Sequence, residues 1–179
     1  LRSKLTIIPQ DPILFDGTLR SNLDPFNKHS DKELWDALKL THVLESMQDE
    51  DCLTLESMVS ENGNNFSQGQ RQLLCLARAL LRKSKLIFMD EATASVDPDT
   101  DAKIQQTIRS EMIHGTVLTV AHRLKTIIDY DQVIVMDGGI VAEMGSPLEL
   151  LSQEGSIFHK MCEESGDCEE LYEIASFIN

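Results

Sequence analysis

Two groups of residues in this chain have the types and spacing to act on a phosphoryl substrate. Ser67 and Gln70 stand in S-x-x-Q spacing with Gly69 between them, so the Ser67 hydroxyl and the Gln70 amide can close the first turn of a helix as a capping box. A helix N-terminus presents unpaired N–H groups and partial positive charge, and the missing Cβ of Gly69 lets an anion approach them closely. That is a phosphate-binding arrangement, and equally, taken alone, an ordinary capped helix. The second group is Asp90-Glu91, directly after the apolar run Leu86-Ile87-Phe88-Met89. At the carboxyl end of a strand, where ligands of open α/β sheets sit, adjacent acids suit Mg²⁺ handling by one and activation of an attacking water by the other. Without that edge they are an acidic loop. His122 follows the β-branched stretch Thr116 to Ala121 and becomes a functional candidate only if it shares the edge with Asp90 and Glu91.

The flanking residues supply the elements that would place these groups. Leu73, Leu76, Ala77 and Leu80 fall at i, i+3, i+4 and i+7, the buried stripe of an amphipathic helix, and Arg82, Lys83 and Lys85 crowd its C-terminal end, where cations favour the dipole. Leu86 to Met89 is short enough for a strand buried on both faces. Asp97-Pro98 starts the next helix with an acceptor at N-cap and proline at the first position. Asp99 and Asp101 add first-turn acids, Ile104, Ile108 and Met112 mark its buried face, and Gly115 ends it. Strand, helix, strand at this spacing is a βαβ crossover, so the strands ending at Asp90 and Ala121 should run parallel, with Glu91 and His122 on the same side.

Upstream, Leu5 to Ile8 reads as a strand stopped by Pro9. Asp16-Gly17 marks a turn, Leu19 to Leu23 one helical turn ended by Asp24-Pro25, and Ser30 with Glu33 a second capping box on a helix carrying Leu34 and Leu38. A short helix is expected around Val43 to Met47, Leu53 to Val59 fits neither template, and Glu61 to Asn65 is a loop. Residues 18 to about 83 therefore read as a mostly helical insertion. Downstream, Gln132 to Met136, the turn Asp137-Gly138-Gly139 and Ile140 to Met144 form a β-hairpin, and Ser146-Pro147-Leu148-Glu149 opens a helix. Ile157 to Cys162 is a short amphipathic piece, and the acids from Glu163 to Glu173 read as a solvated tail.

At 179 residues the chain suits a single domain. Its formal charge of −14 argues against a nucleic-acid backbone as partner. Cys52, Cys75, Cys162 and Cys168 show no metal-ligand spacing and read as reduced thiols, as in the cytosol. No apolar run approaches the roughly 18 residues of a membrane span.

FSQGQRQLLCLARALL followed directly by LIFMDEATASVD resembles the signature motif, Walker B motif and D-loop of ATP-binding cassette (ABC) proteins, with flanks most similar to the second nucleotide-binding domain of subfamily C, the multidrug-resistance-associated and conjugate exporters. The resemblance runs from about Leu5 to about Gly145. It implies an α/β P-loop NTPase (RecA-like) fold with a parallel-sheet core, incomplete at its N-terminus, and an inserted helical subdomain over about 18–83. The chain is thus expected to divide into a partial nucleotide-binding domain over 1–152 and a helical, acidic tail over 153–179.

For the site, the resemblance implies ATP and Mg²⁺ as cofactors. Gln10, in IPQDP, is similar to the Q-loop, a Mg²⁺ ligand that senses the γ-phosphate and leads toward the membrane-domain contact. Asp90 would hold Mg²⁺ and Glu91 would be the general base. His122, in TVAHRL, matches the H-loop. Ser67, Gly69 and Gln70 would contact the nucleotide of a second nucleotide-binding domain arranged head to tail, and Asp97 would reach across that dimer. Further partners would be the transmembrane domains of the same transporter, with this domain on the cytosolic side of a plasma or vacuolar membrane.

The sequence departs from the family in two ways. Phe66 and Gln68 replace the Leu and first Gly of LSGGQ, and a subfamily C second-domain signature faces the weaker of two ATP sites. The phosphate loop G-x-x-x-x-G-K-[ST] does not occur, since none of the nine glycines precedes a Lys, so the expectation is either a chain that starts downstream of it or a protein that lacks it. Two other classes stand beside this one: a nucleic-acid motor, from the likeness of Asp90-Glu91-Ala92-Thr93 to a DEAD-type box, and a non-catalytic interaction module.

Overall fold

Three parallel strands frame the site. The computed structural model describes residues 5–46, 53–90, 96–111 and 115–178, and in it β1 (Leu5–Ile8) pairs with β4 (Leu86–Asp90), which pairs in turn with β5 (Thr116–Val120). The registers Ile8↔Met89 and Asp90↔Val120 align the carboxyl ends of the three strands. A crossover through α4 (Pro98–Glu111) joins β4 to β5, as the βαβ spacing requires. Met112, assigned to the buried face of that helix, lies outside the described residues.

The sheet departs from the expectation of a strand covered on both faces. Ile87 and Met89 of β4 are buried together with Ile8 of β1, in one cluster with Leu73, Leu76 and Ala77 and with Ile104 and Ile108 of α4. On the other face, Ile7, Phe88 and Leu118 form one lateral row, and Ile7 and Leu118 are exposed. Strand side chains alternate between faces, and the helices named here cover only one of them.

Among the described residues, the regular structure between β1 and β4 is helical with one exception. α1 (Leu19–Leu23), α2 (Asp31–Leu40) and α3 (Gln68–Arg82) all begin with capping boxes, at Thr18/Ser21, Ser30/Glu33 and Ser67/Gln70. The exception is a two-residue ladder in which β2 (Gly17–Thr18) runs antiparallel to β3 (Met58–Val59), placing strand where the sequence offers too few residues for a period-2 signal. The short helix expected at Val43 to Met47 is a hydrogen-bonded turn over residues 41–46, and Met47 lies outside the described residues. α3 is buried beyond its predicted stripe, since Gln72, Leu74, Cys75, Ala79 and Leu81 are enclosed too.

By contact density the chain forms two units, Leu1–Val120 and Ala121–Asn179, so the family domain expected over 1–152 spans both. In the second, α5 (Leu124–Ile127) precedes the hairpin of β6 (Val133–Asp137) and β7 (Ile140–Gly145), turned by Gly138 and Gly139 at φ +55° and +83°, the positive values a two-residue primed turn demands. α6 (Pro147–Ser152) carries the Ser146/Glu149 box, and α7 (Ile157–Ser165) and α8 (Cys168–Ile178) follow. The tail is therefore not merely a solvated acidic face. Leu171 and Ala175 of α8 stand at i and i+4 and are fully buried with Phe158 and Cys162, while Lys125 pairs with Glu170 at 2.7 Å and Asp167 at 3.5 Å.

A β-bulge at Ala142 shifts the hairpin register, leaving Val135 opposite Glu143 and Met136 opposite Val141. The Glu143 carboxylate accepts hydrogen bonds at the start of α7, from the N–H groups of Ile157 at 2.6 Å and Phe158 at 3.1 Å and from the Ser156 hydroxyl at 2.9 Å. The Ile157 bond is the largest cause holding the Glu143 carboxyl below its ordinary value of 4.5. A depressed carboxylate adds stability that is fully present above the unfolded-state value and is lost as pH falls through the folded one. Glu143→Gln is therefore expected to lower the melting temperature and speed exchange of the Ile157 and Phe158 amides at neutral pH. The difference from the parent should vanish under acidic conditions below the parent's folded value; a pH-independent difference in circular-dichroism melts would exclude the carboxylate as its cause.

Candidate functional site

The candidate site follows from the strand register. Asp90 ends β4, is exposed, and pairs laterally with Val120 at the end of β5. Gln10 lies two residues past the end of β1, exposed at the same carboxyl edge. Parallel pairing thus brings an amide and a carboxylate from sequence positions 80 residues apart to one rim. Both offer the hard oxygen donors that Mg²⁺ takes. Glu91, the proposed base, lies outside the described residues. His122 is exposed two residues beyond Val120, where the second unit begins.

The signature turn is built as its residue types require. The Ser67 hydroxyl accepts the Gln70 N–H at 3.2 Å, and the Gln70 Oε1 accepts the Ser67 N–H at 2.9 Å. This cap uses only the acceptor side of the Ser67 hydroxyl, so its proton remains for a further acceptor such as a phosphate oxygen. The N–H groups of Gln68 and Gly69, at the first two positions of α3, belong to the helix's orphan donors. The first turn of this fifteen-residue helix carries no acid, so its dipole is open to an outside anion.

Gln70 also ties the signature turn to the rest of the fold. Its Nε2 donates to the Ser46 carbonyl at 2.9 Å, which uses one of the two hydrogens of the amide nitrogen and leaves the second for an outside acceptor. Asp97 caps α4, its Oδ1 accepting the Thr100 N–H at 3.0 Å. That bond is the largest cause holding the Asp97 carboxyl below its ordinary range.

The residue types did not announce three supports behind the site. Gln72 lies on the buried side of α3 and donates to the Gln10 carbonyl at 3.2 Å. Glu45 accepts from His42 at 2.7 Å and from Lys103 at 3.2 Å, tying the turn beside Ser46 to the helix that Asp97 caps. Arg78 donates to the Ile13 carbonyl at 3.0 Å. For Gln72 and Arg78 the available signal was a polar residue set within an otherwise buried helix, whereas Glu45, exposed in the turn over residues 41–46, offered none.

A family model described as ABC transporter matches residues 1–94, more than half of the chain. The chain belongs to the ABC transporter family. ATP-binding cassette sub-family C member 2 of Rattus norvegicus is 60% identical over 166 residues, covering 93% of this chain and 11% of that protein. The pleiotropic ABC efflux transporter of multiple drugs YBT1 of Candida glabrata is 50% identical over 196 residues, covering 100% of this chain and 12% of that protein. Among solved structures, a bacterial Atm1-family ABC exporter with ATP bound superposes with a TM-score of 0.81 at 32% identity, over 92% of this chain and 28% of that one. The chain thus spans roughly a ninth of the curated relatives' length. Its α/β fold with a parallel sheet is that of an ABC exporter's nucleotide-binding domain, and its relatives are of the subfamily C and yeast drug-transporter types. No helix among the described residues is long and apolar enough to cross a membrane.

Replacing Ser67 by Ala removes the side-chain cap and should destabilise the chain by about 1 kcal/mol, the usual worth of such a cap. Ser67→Asp, which can still cap, should restore most of that loss. Urea midpoints of the three proteins check this, and equal midpoints would mean the hydroxyl does not carry the start of α3.

Proposed function

We propose that this chain is the signature, Walker B and H-loop portion of an ATP-hydrolysing domain, most like the second nucleotide-binding domain, in a subfamily C exporter of organic anions, conjugates or drugs. The observation that carries the reading is the shared carboxyl edge, with Gln10 and Asp90 on neighbouring parallel strands. In the complete protein the domain pairs head to tail with a second nucleotide-binding domain and docks on transmembrane domains from the cytosolic side of a plasma or vacuolar membrane.

When bound, Mg-ATP supplies the transferable phosphoryl group and the cation that neutralises its charge. Asp90 and Gln10 would hold Mg²⁺. Glu91 accepts a proton from the attacking water, and His122 donates a hydrogen bond to the γ-phosphate. Ser67 and the N–H of Gly69 donate to the γ-phosphate of ATP held by the partner domain, and Asp97, already fixed as a cap, reaches across the dimer. The phosphate loop motif is not in this sequence, so the chain alone is expected to show no ATP turnover above background.

In the complete transporter, Glu91→Gln should slow ATP turnover by roughly 10²–10⁴-fold, about 3–5 kcal/mol of barrier, while ATP binding survives. Near-normal turnover would remove Glu91 from the base role.

Ser67→Asp separates capping from phosphate contact. The aspartate keeps the helix start but sets a negative charge against the incoming phosphate. ATP-driven pairing of the two domains should weaken, and turnover should fall less than in Glu91→Gln, because this signature resembles the one at the weaker site. A larger fall would move the chain to the other half of the transporter.

A further inference from the structure

α3 holds the segment Gln10–Phe15 along its length, through donors spaced by three residues. Gln72 donates to the Gln10 carbonyl at 3.2 Å, and Arg78 Nη1 donates to the Ile13 carbonyl at 3.0 Å, on which the Cys75 thiol also closes at 3.8 Å. Arg78 Nη2 donates to Asn22 Oδ1 at 3.1 Å. That same oxygen accepts the Phe15 N–H at 2.9 Å, while Asn22 Nδ2 donates to the carbonyls of Phe15 at 2.8 Å and Thr18 at 3.1 Å. The opposite amide orientation would set donors against the Phe15 N–H and Arg78, so the partners fix it. The Arg78 guanidinium also lies 5.8 Å from the centre of the Phe15 ring.

These supports are buried, whereas the side chains they present are not. Gln72 and Asn22 are each 2% exposed, and Leu14 is plugged into the core at 1%. Ile13 and Phe15, on either side of Leu14, are 56% and 65% exposed. Burying an amide and holding a guanidinium half-buried carries a desolvation cost that an apolar side chain would not incur. Four of their bonds go to backbone atoms of Gln10, Ile13 and Phe15, and Arg78 also binds Asn22, so together they fix the segment's orientation relative to the helix that begins at Ser67.

We propose that Gln72, Arg78 and Asn22 are positioning residues that make Gln10–Phe15 ride with α3 as one body. A displacement of Ser67 is thereby carried both to Gln10 at the sheet edge and to the exposed Ile13 and Phe15. The inference rests on the nucleotide-binding reading of Ser67 and Gln10.

The test uses the complete transporter in lipid nanodiscs, with spin labels at Asp16→Cys and Arg82→Cys, both exposed positions, and with other reactive cysteines replaced. Dipolar EPR reads the distance distribution without nucleotide and with Mg²⁺, ATP and vanadate. The parent should give one narrow distribution, the same in both states. Arg78→Met should at least double its width while the KM for ATP stays within about twofold. Arg78→Lys, which keeps the charge but not the fork, should fall between them. Should Arg78→Met fail to fold, Gln72→Leu read with the first label moved to Asp11 should broaden likewise. A parent distribution that shifts with nucleotide would overturn the proposal, and so would variants that lose thermal stability but keep the parent width. Absence of ATP turnover in the parent would overturn the nucleotide reading instead, and the nucleotide-free widths would still decide whether α3 holds the segment.

Discussion

Parallel registration of β1, β4 and β5 is the constraint on which the rest of this molecule depends. Strand side chains alternate with a period of two, so a slip of one residue would turn Ile87 and Met89 outward and bring Leu86 and Phe88 in. Polar contacts near the start of the ladder oppose that slip: the Thr6 and Ser84 hydroxyls meet at 2.7 Å in a buried pair, and the Thr116 N–H donates to the Lys85 carbonyl at 2.8 Å. With the register held, Gln10 and Asp90 must emerge at one edge. Neither needs a special local structure to arrive there.

Helix N-termini answer the same electrostatic demand in two ways. α2, α4, α6 and α8 place acids in their first turns, and α7 receives the Glu143 carboxylate from the hairpin. α3 has a complete side-chain cap but no first-turn acid. Capping satisfies individual N–H groups, whereas the dipole is offset only by charge. α3 is therefore closed as a piece of secondary structure and still open electrostatically. This is the physical sense in which a capped helix start and a phosphate site can be the same residues.

Residue types foretold whatever is local and periodic. The Ser30/Glu33, Ser67/Gln70 and Ser146/Glu149 boxes could be read from spacing, and so could the βαβ crossover and the Gly138-Gly139 hairpin, because each is decided by residues within a few positions of one another. The Thr18/Ser21 box escaped because serine replaces the Glu or Gln of the usual pattern. The β2–β3 ladder escaped because two residues carry no period, and the burial of one side of α8 because six acids between Glu163 and Glu173 outweighed the spacing of Leu171 and Ala175. At the candidate site, Ser67 and Asp90 could be proposed from their own neighbours, but Gln72 and Arg78 act on the backbone carbonyls of Gln10 and Ile13, 62 and 65 residues away. Nothing in a side chain's identity names a distant backbone partner.

The open face of the sheet bears on how such a chain can exist at all. Ile7, Leu118 and Val120 are 62%, 45% and 58% exposed, although parallel sheets ordinarily have both faces covered. Side chains largely solvated both before and after folding contribute little to the folding free energy, because the hydrophobic term counts only area removed from water. The buried face, the helices packed on it and the caps can thus maintain the fold without a cover over Ile7. The exposed row acts instead on association, since contiguous apolar surface lowers the free energy of any contact that removes it from water. Covering this face in a longer protein would add stability to a sheet whose register the buried side already specifies, and would leave the positions of Gln10 and Asp90 unchanged.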